Sequence, residues 1–124
     1  MVFYKAEQYG NPVLTKSFSF AVSIVKFYLA LIKTNRDFEP ILKQILRSGT
    51  SIGANITEAQ QASSKRDFTH KMSVALKEAK ETEYWLKLLK EVRIIQNTEI
   101  EVLYSECDEF IRLLTSILKT LKSK

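Results

Sequence analysis

The sequence contains very little cysteine, histidine, glycine and proline. One cysteine among 124 residues cannot form an intrachain disulfide, and it fits a reducing compartment. One histidine and one cysteine leave any histidine- or cysteine-based metal site short of ligands. Three glycines and two prolines are too few for a turn-rich all-β fold. These shortages argue against a disulfide-stabilised, a zinc-binding and an all-β protein.

Long uninterrupted hydrophobic runs are also missing. The longest apolar run extends from residue 18 to residue 32 and contains Lys26. A run of this length is too short to span a bilayer, which takes about 20 apolar residues. No small-residue cleavage site follows it, as it would in a signal peptide. We therefore expect a cytoplasmic protein that does not span a membrane.

The composition is that of one soluble domain, here residues 1–124. Apolar residues make up 45% and charged residues 27%, and the formal net charge is +5. The positive charge is concentrated in residues 1–36 and 65–95. A basic surface fits an anionic partner. The alternative is that these lysines only keep a small protein soluble.

Four segments repeat apolar residues at helical spacing and are separated by turn residues. Pro40 suits the first turn of the second helix, and Ser64 with Asp67 suits the start of the third. Thr98 and Glu101 have the spacing of a capping box before the fourth. The predicted helices cover about residues 13–34, 40–62, 65–93 and 98–122. They predict an all-α fold, an antiparallel up-down-up-down four-helix bundle.

The fourth predicted helix has the plainest pattern. Its apolar residues recur at alternating steps of three and four, which is typical of a bundle seam. Cys107 occupies one of these positions, so we expect a small buried side chain rather than a reactive thiol. The seam consists of Ile100, Leu103, Cys107, Phe110, Leu114, Ile117 and Leu121.

The first predicted helix has two apolar stripes, although one is enough to pack inside a four-helix monomer. Leaving the second stripe in water would forgo about 1.5–3 kcal/mol for each of its large side chains. We therefore expect a homo-oligomer; the alternative is that irregular packing hides both stripes within one chain. The first stripe is Leu14, Phe18, Ala21, Val25, Leu29 and Ile32. The predicted interface is the second stripe, Phe20, Ile24, Phe27 and Leu31, with Val74, Trp85 and Leu88 of the third helix.

The stretch RSGTSIGANITEA, residues 47–59, is poor in good helix formers although its flanks read as helix. Gly49 and Gly53 lie one turn apart, and each costs about 0.8–1 kcal/mol relative to alanine in a helix. A closely approaching neighbouring helix would explain both glycines. A polar line along the same helix predicts a structural network, with a ligand or nucleic-acid contact as the alternative. The predicted network comprises Arg47, Ser51, Asn55 and Glu58, with Glu78 and Glu81 as partners for Arg47.

The sequence gives little support for a catalytic site or a cofactor-binding site. His70 falls on the outer arc of the third predicted helix, away from its apolar stripe. The Glu-x-x-His pairing of di-iron bundles does not occur in the sequence. The sequence shows no strand, and therefore no glycine-rich phosphate loop that follows one. We expect a protein that is not an enzyme and that uses no metal and no cofactor.

RSGTSIGANITEA, followed by SKRDFTHKMSVALKEAKETEYWLKLL, resembles a bacterial four-helix bundle family. Its members are encoded in intervening sequences of large-subunit ribosomal RNA genes and elsewhere in bacterial genomes. The accessory variability protein of diversity-generating retroelements, which works with a reverse transcriptase, is a relative. Two residues depart from the family pattern, Ala59 where many members have glycine and Glu78 where many have serine. The resemblance implies a ring-like homopentamer and no catalytic residues.

The resemblance also implies a nucleic-acid-binding accessory protein, with RNA or DNA and possible protein partners such as a reverse transcriptase. Binding through phosphates would be largely independent of base sequence, because no base-reading motif is visible. The alternative is a protein–protein scaffold whose basic charge is incidental. The first candidates for contacts to nucleic acid are Lys16, Lys26, Lys33 and Arg36, and the next are Lys77, Lys80 and Lys87.

Overall fold

Residues 11–123 are described by the computed structural model, and within them four α-helices and no strands occur. The predicted all-helical class is confirmed. Residues 1–10 and 124 of the predicted domain lie outside the described residues. A short 3-10 helix, Arg36–Phe38, connects the first two α-helices. The four helices are α1 (Asn11–Ile32), α2 (Glu39–Ala59), α3 (Lys65–Val92) and α4 (Glu99–Lys122).

Local side-chain chemistry sets most helix starts. Pro40 lies in the first turn of α2, where its missing N–H is not needed. The Ser64 hydroxyl accepts a hydrogen bond from the Asp67 backbone N–H at 3.0 Å, as the spacing predicts. The capping box predicted for Thr98 is wrong, because its side chain makes no capping bond. Asn97 caps α4 instead, since its Oδ1 accepts from the Glu99 N–H at 2.8 Å.

Consecutive helices run antiparallel and pack along their length. In α2, Gly49 lies against Ile24 of α1, and Gly53, which follows it in the sequence, lies against Ser17, which precedes Ile24. The reversed order shows that α1 and α2 point in opposite directions. The same order reversal holds for α2 and α3 in the pairs Ser48–Thr82 and Glu58–Lys71, and for α3 and α4 in Ala79–Cys107 and Lys90–Glu101.

The two glycines of α2 mark the closest approach between helices. A Cβ atom at Gly49 would lie 2.9 Å from Cγ1 of Ile24. A Cβ atom at Gly53 would lie 3.1 Å from the backbone oxygen of Ser17. Both distances are shorter than ordinary carbon contacts, so a side chain would push α1 away. The prediction that close packing explains these glycines is confirmed.

The predicted seam of α4 lies in the core. Cys107 is fully buried, and its thiol donates to the backbone oxygen of Ala79 at 3.1 Å. Phe110 packs edge-to-face on Phe20 of α1, with ring centroids 5.4 Å apart. Burial of the whole seam confirms the pattern read from the sequence. Its buried members are Ile100, Leu103, Cys107, Phe110, Leu114, Ile117 and Leu121.

The two apolar stripes of α1 are not placed as expected. The second stripe, offered as an oligomer interface, is buried inside the chain: Phe20, Ile24, Phe27 and Leu31 belong to the core. This part of the interface prediction is therefore wrong. The side left at the surface carries Phe18, Val25 and Leu29 of the first stripe, together with Val22. Each helix buries the side that faces the bundle axis, and for α1 this side lies opposite Lys26 and Lys33.

Helix α1 bears on the membrane prediction as well. From Pro12 to Ile32 it is long and apolar enough to cross a membrane, judged by length and composition only. The length argument made from the apolar run therefore does not hold for the complete helix. Core helices of soluble proteins pass the same test, and α1 places one whole side in the core. That the chain does not span a membrane stays a prediction.

Candidate nucleic-acid interface

The outer face of α3 carries a row of side chains that is rich in basic residues. Arg66, Lys77, Lys80 and Lys87 are all exposed, and the ring of Tyr84 is 59% exposed between two of the lysines. Together with His70 and Ser73 they follow one another at alternating steps of four and three, which places them on one helix face. We call the four cations and Tyr84 the α3 ridge. At 1.5 Å per residue it extends over about 30 Å.

The cations of the α3 ridge form no close ion pairs among residues 11–123. None of them forms an ion pair within 4.0 Å, in contrast to Lys43, Lys71 and Lys90, which pair with glutamates. A row of unpaired exposed cations creates a positive surface potential that attracts polyanions. The α3 ridge is therefore the surface best suited to contact phosphates.

Two glutamates, Glu81 and Glu83, lie beside the ridge, and each also has a charged neighbour on another helix. Arg47 of α2 donates to Glu81 and holds the pKa of that carboxyl below its usual range. Burial raises the pKa of Glu83, and neighbouring Asp108 of α4 raises it further, while Lys87 and Lys80 oppose that rise. Arg47 therefore offsets part of the charge of Glu81, whereas Asp108 is a like charge for Glu83, and both glutamates attract the lysines of the ridge. The ridge has four cations against these two carboxylates, so its net charge is positive.

The structure brings Arg47 against both of its predicted partners. Its Nη1 lies 3.3 Å from Glu78 Oε1, and its Nη2 donates to Glu81. The hydrogen bond that Arg47 donates to Glu81 is the largest cause of the raised pKa of Arg47. Trp85 also donates its indole N–H to Glu81 at 3.4 Å, and its ring contacts Tyr84 edge-to-face at 5.0 Å. Tyr84 of the ridge therefore packs against the Trp85 ring of this cluster.

The rest of the predicted polar line does not join this cluster. The Ser51 hydroxyl donates to the backbone oxygen of Arg47, and the Asn55 amide donates to the backbone oxygen of Ser51. Glu58 pairs with Lys71 at 2.8 Å, at the other end of α2. The line therefore consists of separate local contacts rather than one network.

A buried hydrogen bond between α2 and α3 was missed in the sequence. Thr82 donates to the hydroxyl of Ser48 at 2.8 Å, and both side chains are fully buried. Each hydroxyl also reaches the backbone carbonyl four residues earlier in its own helix, that of Gln44 or Glu78, at 2.8 Å, so both groups are satisfied where the helices meet. No periodic signal distinguishes Ser48 and Thr82 from the other small polar residues of these helices.

The cations of α1 do not form one surface. Lys16 pairs with Glu109 of α4 at 3.6 Å, and both side chains are mostly exposed. Lys26 and Lys33 are exposed beside the apolar side of α1, and Arg36 lies in the 3-10 helix. Val74, Trp85 and Leu88, the α3 part of the predicted interface, are half-buried. Their roles in binding or assembly stay predictions.

Groups that could carry catalysis are scattered or inaccessible. Within residues 11–123 no three histidine, cysteine, aspartate or glutamate side chains come together as metal ligands. Burial raises the pKa of the Cys107 thiol, which keeps it protonated. His70 is exposed on α3.

Comparison with known proteins identifies relatives that extend over most of the chain. The model of the 23S rRNA-intervening sequence protein family matches residues 11–116. A crystal structure of a protein with unknown function from the S23 ribosomal protein family of Bacteroides thetaiotaomicron VPI-5482 is similar, with 50% sequence identity and a TM-score of 0.80. The similarity covers 88% of this chain and 96% of that chain. No curated protein matches.

Proposed function

This chain belongs to the 23S rRNA-intervening sequence protein family, and we propose that it is a non-enzymatic, oligomeric, cytoplasmic accessory protein that binds RNA or DNA. The α3 ridge is the binding surface. The observation that carries the proposal is the row of exposed cations, without ion pairs in residues 11–123, that lines one helix for about 30 Å.

The ridge chemistry supports contacts to the backbone rather than to base edges. Lysine and arginine side chains bind phosphate oxygens, and binding releases the counterions that surround the nucleic acid. The ring of Tyr84, held by Trp85, offers a flat surface on which an unpaired base can stack. Binding through this surface is therefore strongly salt-dependent and largely independent of sequence.

Assembly into an oligomer would strengthen nucleic-acid binding even if each single ridge binds weakly. A ring-like homopentamer, which the family resemblance implies, would carry five copies of the ridge. When one ridge binds a nucleic acid, the next ridge meets the same strand at a high effective concentration. A modest contact per copy then gives a useful affinity for the assembly.

The test is fluorescence anisotropy with a labelled structured RNA and a matched DNA duplex at low and physiological salt. A ridge variant, Lys77→Glu/Lys80→Glu/Lys87→Glu, should lose binding while keeping its helical circular dichroism. A control variant, Lys43→Glu, Lys119→Glu and Lys122→Glu, has the same net charge but an intact ridge, and it should still bind. Equal loss in both variants would refute the ridge as the site, because net charge alone would explain the binding.

The second candidate function is a protein–protein scaffold, with a reverse transcriptase or another protein as partner. Exposed apolar side chains favour it, since Ile94 after α3 is 66% exposed and Phe18 on α1 is 71% exposed. Absence of nucleic-acid binding even at low salt would favour this candidate and direct the search to pull-down experiments.

A further inference from the structure

Tyr84 is an exposed aromatic residue within a row of cations. Its ring is 59% exposed, although burial of an aromatic ring is favourable. Lys80 lies four residues before it and Lys87 three residues after it, so both lysines are its neighbours on the helix surface. A tyrosine adds no positive charge to a surface that binds phosphates. Its position between two lysines therefore indicates a ligand that offers a flat apolar group next to its phosphates.

The ring of Tyr84 is supported on one side by Trp85. The two rings pack edge-to-face, with centroids 5.0 Å apart and an angle of 77° between their planes. Trp85 packs against the hydrophobic core, and its indole N–H donates to Glu81 at 3.4 Å. A ring that already packs on a core residue loses less conformational freedom when a ligand stacks on it. The exposed part of Tyr84 is therefore suited to stacking.

Nucleotide bases are flat groups that lie next to phosphates, and their faces are accessible where a strand is unpaired. Stacking on an aromatic side chain strengthens binding for any base, because every base has a π-face. In a duplex the bases are stacked on one another between the two backbones, so Tyr84 would contact sugars and phosphates instead. The ring of Tyr84 therefore adds affinity for a single strand and little for a duplex.

The shape of the α3 ridge also favours a single strand. Its residues lie along one face of one helix over about 30 Å. Each backbone of a duplex winds once around the axis in about 34 Å, so a row of cations laid along a duplex meets each backbone about once. A flexible single strand can follow the row from Lys87 to Arg66. More cations of the ridge then reach phosphates of the same strand.

We infer that the α3 ridge selects single-stranded RNA or DNA over duplexes, with one unpaired base stacked on Tyr84 and the phosphates beside it bound by Lys80 and Lys87. This inference rests on the proposed function, because it takes the α3 ridge as the nucleic-acid site, and it names the class of ligand for that site. The ridge contains one tyrosine and no tryptophan or phenylalanine. One stacked base per copy corresponds to roughly tenfold in affinity.

Fluorescence anisotropy with three labelled probes of equal length tests the inference. The probes are an oligothymidine, its duplex with oligoadenine, and an abasic oligomer that has the same phosphates without the bases. All are measured at the same salt concentration, because affinity for phosphates depends on salt. The unmodified chain should bind the oligothymidine roughly tenfold more tightly than the abasic oligomer. It should also bind the oligothymidine more tightly than the duplex.

Substitution of Tyr84 separates the effect of the ring from that of the lysines. Tyr84→Leu should bind the oligothymidine no better than the abasic oligomer, because leucine has no π-face, and it should still bind both through the lysines. Tyr84→Phe keeps the ring and should keep the preference for bases. Phe18→Leu is the matched control, since Phe18 is an exposed ring on α1 outside the ridge. It should bind all three probes as the unmodified chain does.

Circular dichroism and light scattering of each variant show that its fold and mass are unchanged, so that a change in affinity reports the contact itself. A preference for the oligothymidine over the abasic oligomer that persists in Tyr84→Leu would refute stacking on Tyr84. Equal affinity of the unmodified chain for these two probes would refute the contact with a base.

Failure of this inference and failure of the proposed function give different results. If the unmodified chain binds all three probes equally and Lys77→Glu/Lys80→Glu/Lys87→Glu binds none, the ridge remains the site and only the selection of single strands is refuted. If the unmodified chain binds none of the probes, the proposed function is refuted, and this inference with it.

Discussion

Replacing Gly49 with alanine tests the close approach of α1 and α2. The new Cβ would lie 2.9 Å from Cγ1 and 3.0 Å from Cδ1 and Cγ2 of Ile24. Ile24 is fully buried, and its β-branched side chain has few rotamers to move into. Overpacking of this kind costs about 1–3 kcal/mol. Alanine gains about 0.8–1 kcal/mol in helix propensity, so we expect a net loss on the order of 1 kcal/mol.

The assay is denaturant unfolding followed by circular dichroism at one fixed protein concentration, because assembly would shift the apparent stability. Ala54→Gly on the exposed side of the same helix is the matched control, and it should cost about 0.8–1 kcal/mol from propensity alone. In an Ile24→Ala background the clashing atoms are absent, so Gly49→Ala should become stabilising. Equal effects of Gly49→Ala in both backgrounds would refute the argument that Ile24 selects glycine at this position.

Three further changes test local electrostatics and backbone conformation by the same unfolding assay. Arg47→Met should cost about 1 kcal/mol at neutral pH, because the pair is half-exposed. Since Arg47 lowers the pKa of Glu81, the stability that the pair contributes is present above the ordinary carboxyl pKa and is lost as the pH falls through the lowered pKa of Glu81. If the variant and the unmodified chain still differed as much in free energy of unfolding in acid, the pair would not be the cause. Glu83→Gln should stabilise the protein at neutral pH and not in acid, because the raised pKa of Glu83 means that its ionised form destabilises the folded state. Destabilisation of the variant at neutral pH would contradict this explanation. Arg93→Gly should stabilise by up to about 1 kcal/mol, since Arg93 ends α3 in the left-handed region with φ 61°; no gain would show that the arginine side chain compensates for the strain.

Helix positions and family were largely predictable from the sequence. Steps of three and four in α4 define its buried side without reference to other helices, which is why that seam is confirmed. The resemblance carried by RSGTSIGANITEA is confirmed by the family match. The start of α4 shows a limit of capping rules based on spacing. Thr98 and its neighbour Asn97 can both cap a helix, and the spacing alone does not decide between them.

The two stripes of α1 show a limit of apolar patterns. Both stripes are apolar enough for a core, and the choice between them depends on how α2 and α4 approach α1. One signal was available: Lys26 and Lys33 lie nearly opposite Phe20 and Ile24 on a helical wheel, and the side opposite the charges is the buried one. Using the polar arc as the reference would have identified the correct stripe.

The α3 ridge was predicted only in part. Its three lysines were named, whereas Arg66 and Tyr84 were not, although the alternating spacing extends to both. The state of the nearby acids could not be read from the sequence. Glu81 is bound by Arg47, and Glu83 lies near the like charge of Asp108; both neighbours depend on how α2 and α4 pack on α3.

The most direct test of the central claim is the salt dependence of nucleic-acid binding by the unmodified chain and by Lys77→Gln/Lys80→Gln/Lys87→Gln. Each phosphate contact contributes about 0.9 to the slope of log K against log salt on duplex DNA, and about 0.7 on single strands. The account predicts a steep slope for the unmodified chain and a slope reduced by roughly two to three in the variant. An unchanged slope would show that the phosphates are bound elsewhere and would contradict the α3 ridge as the binding surface.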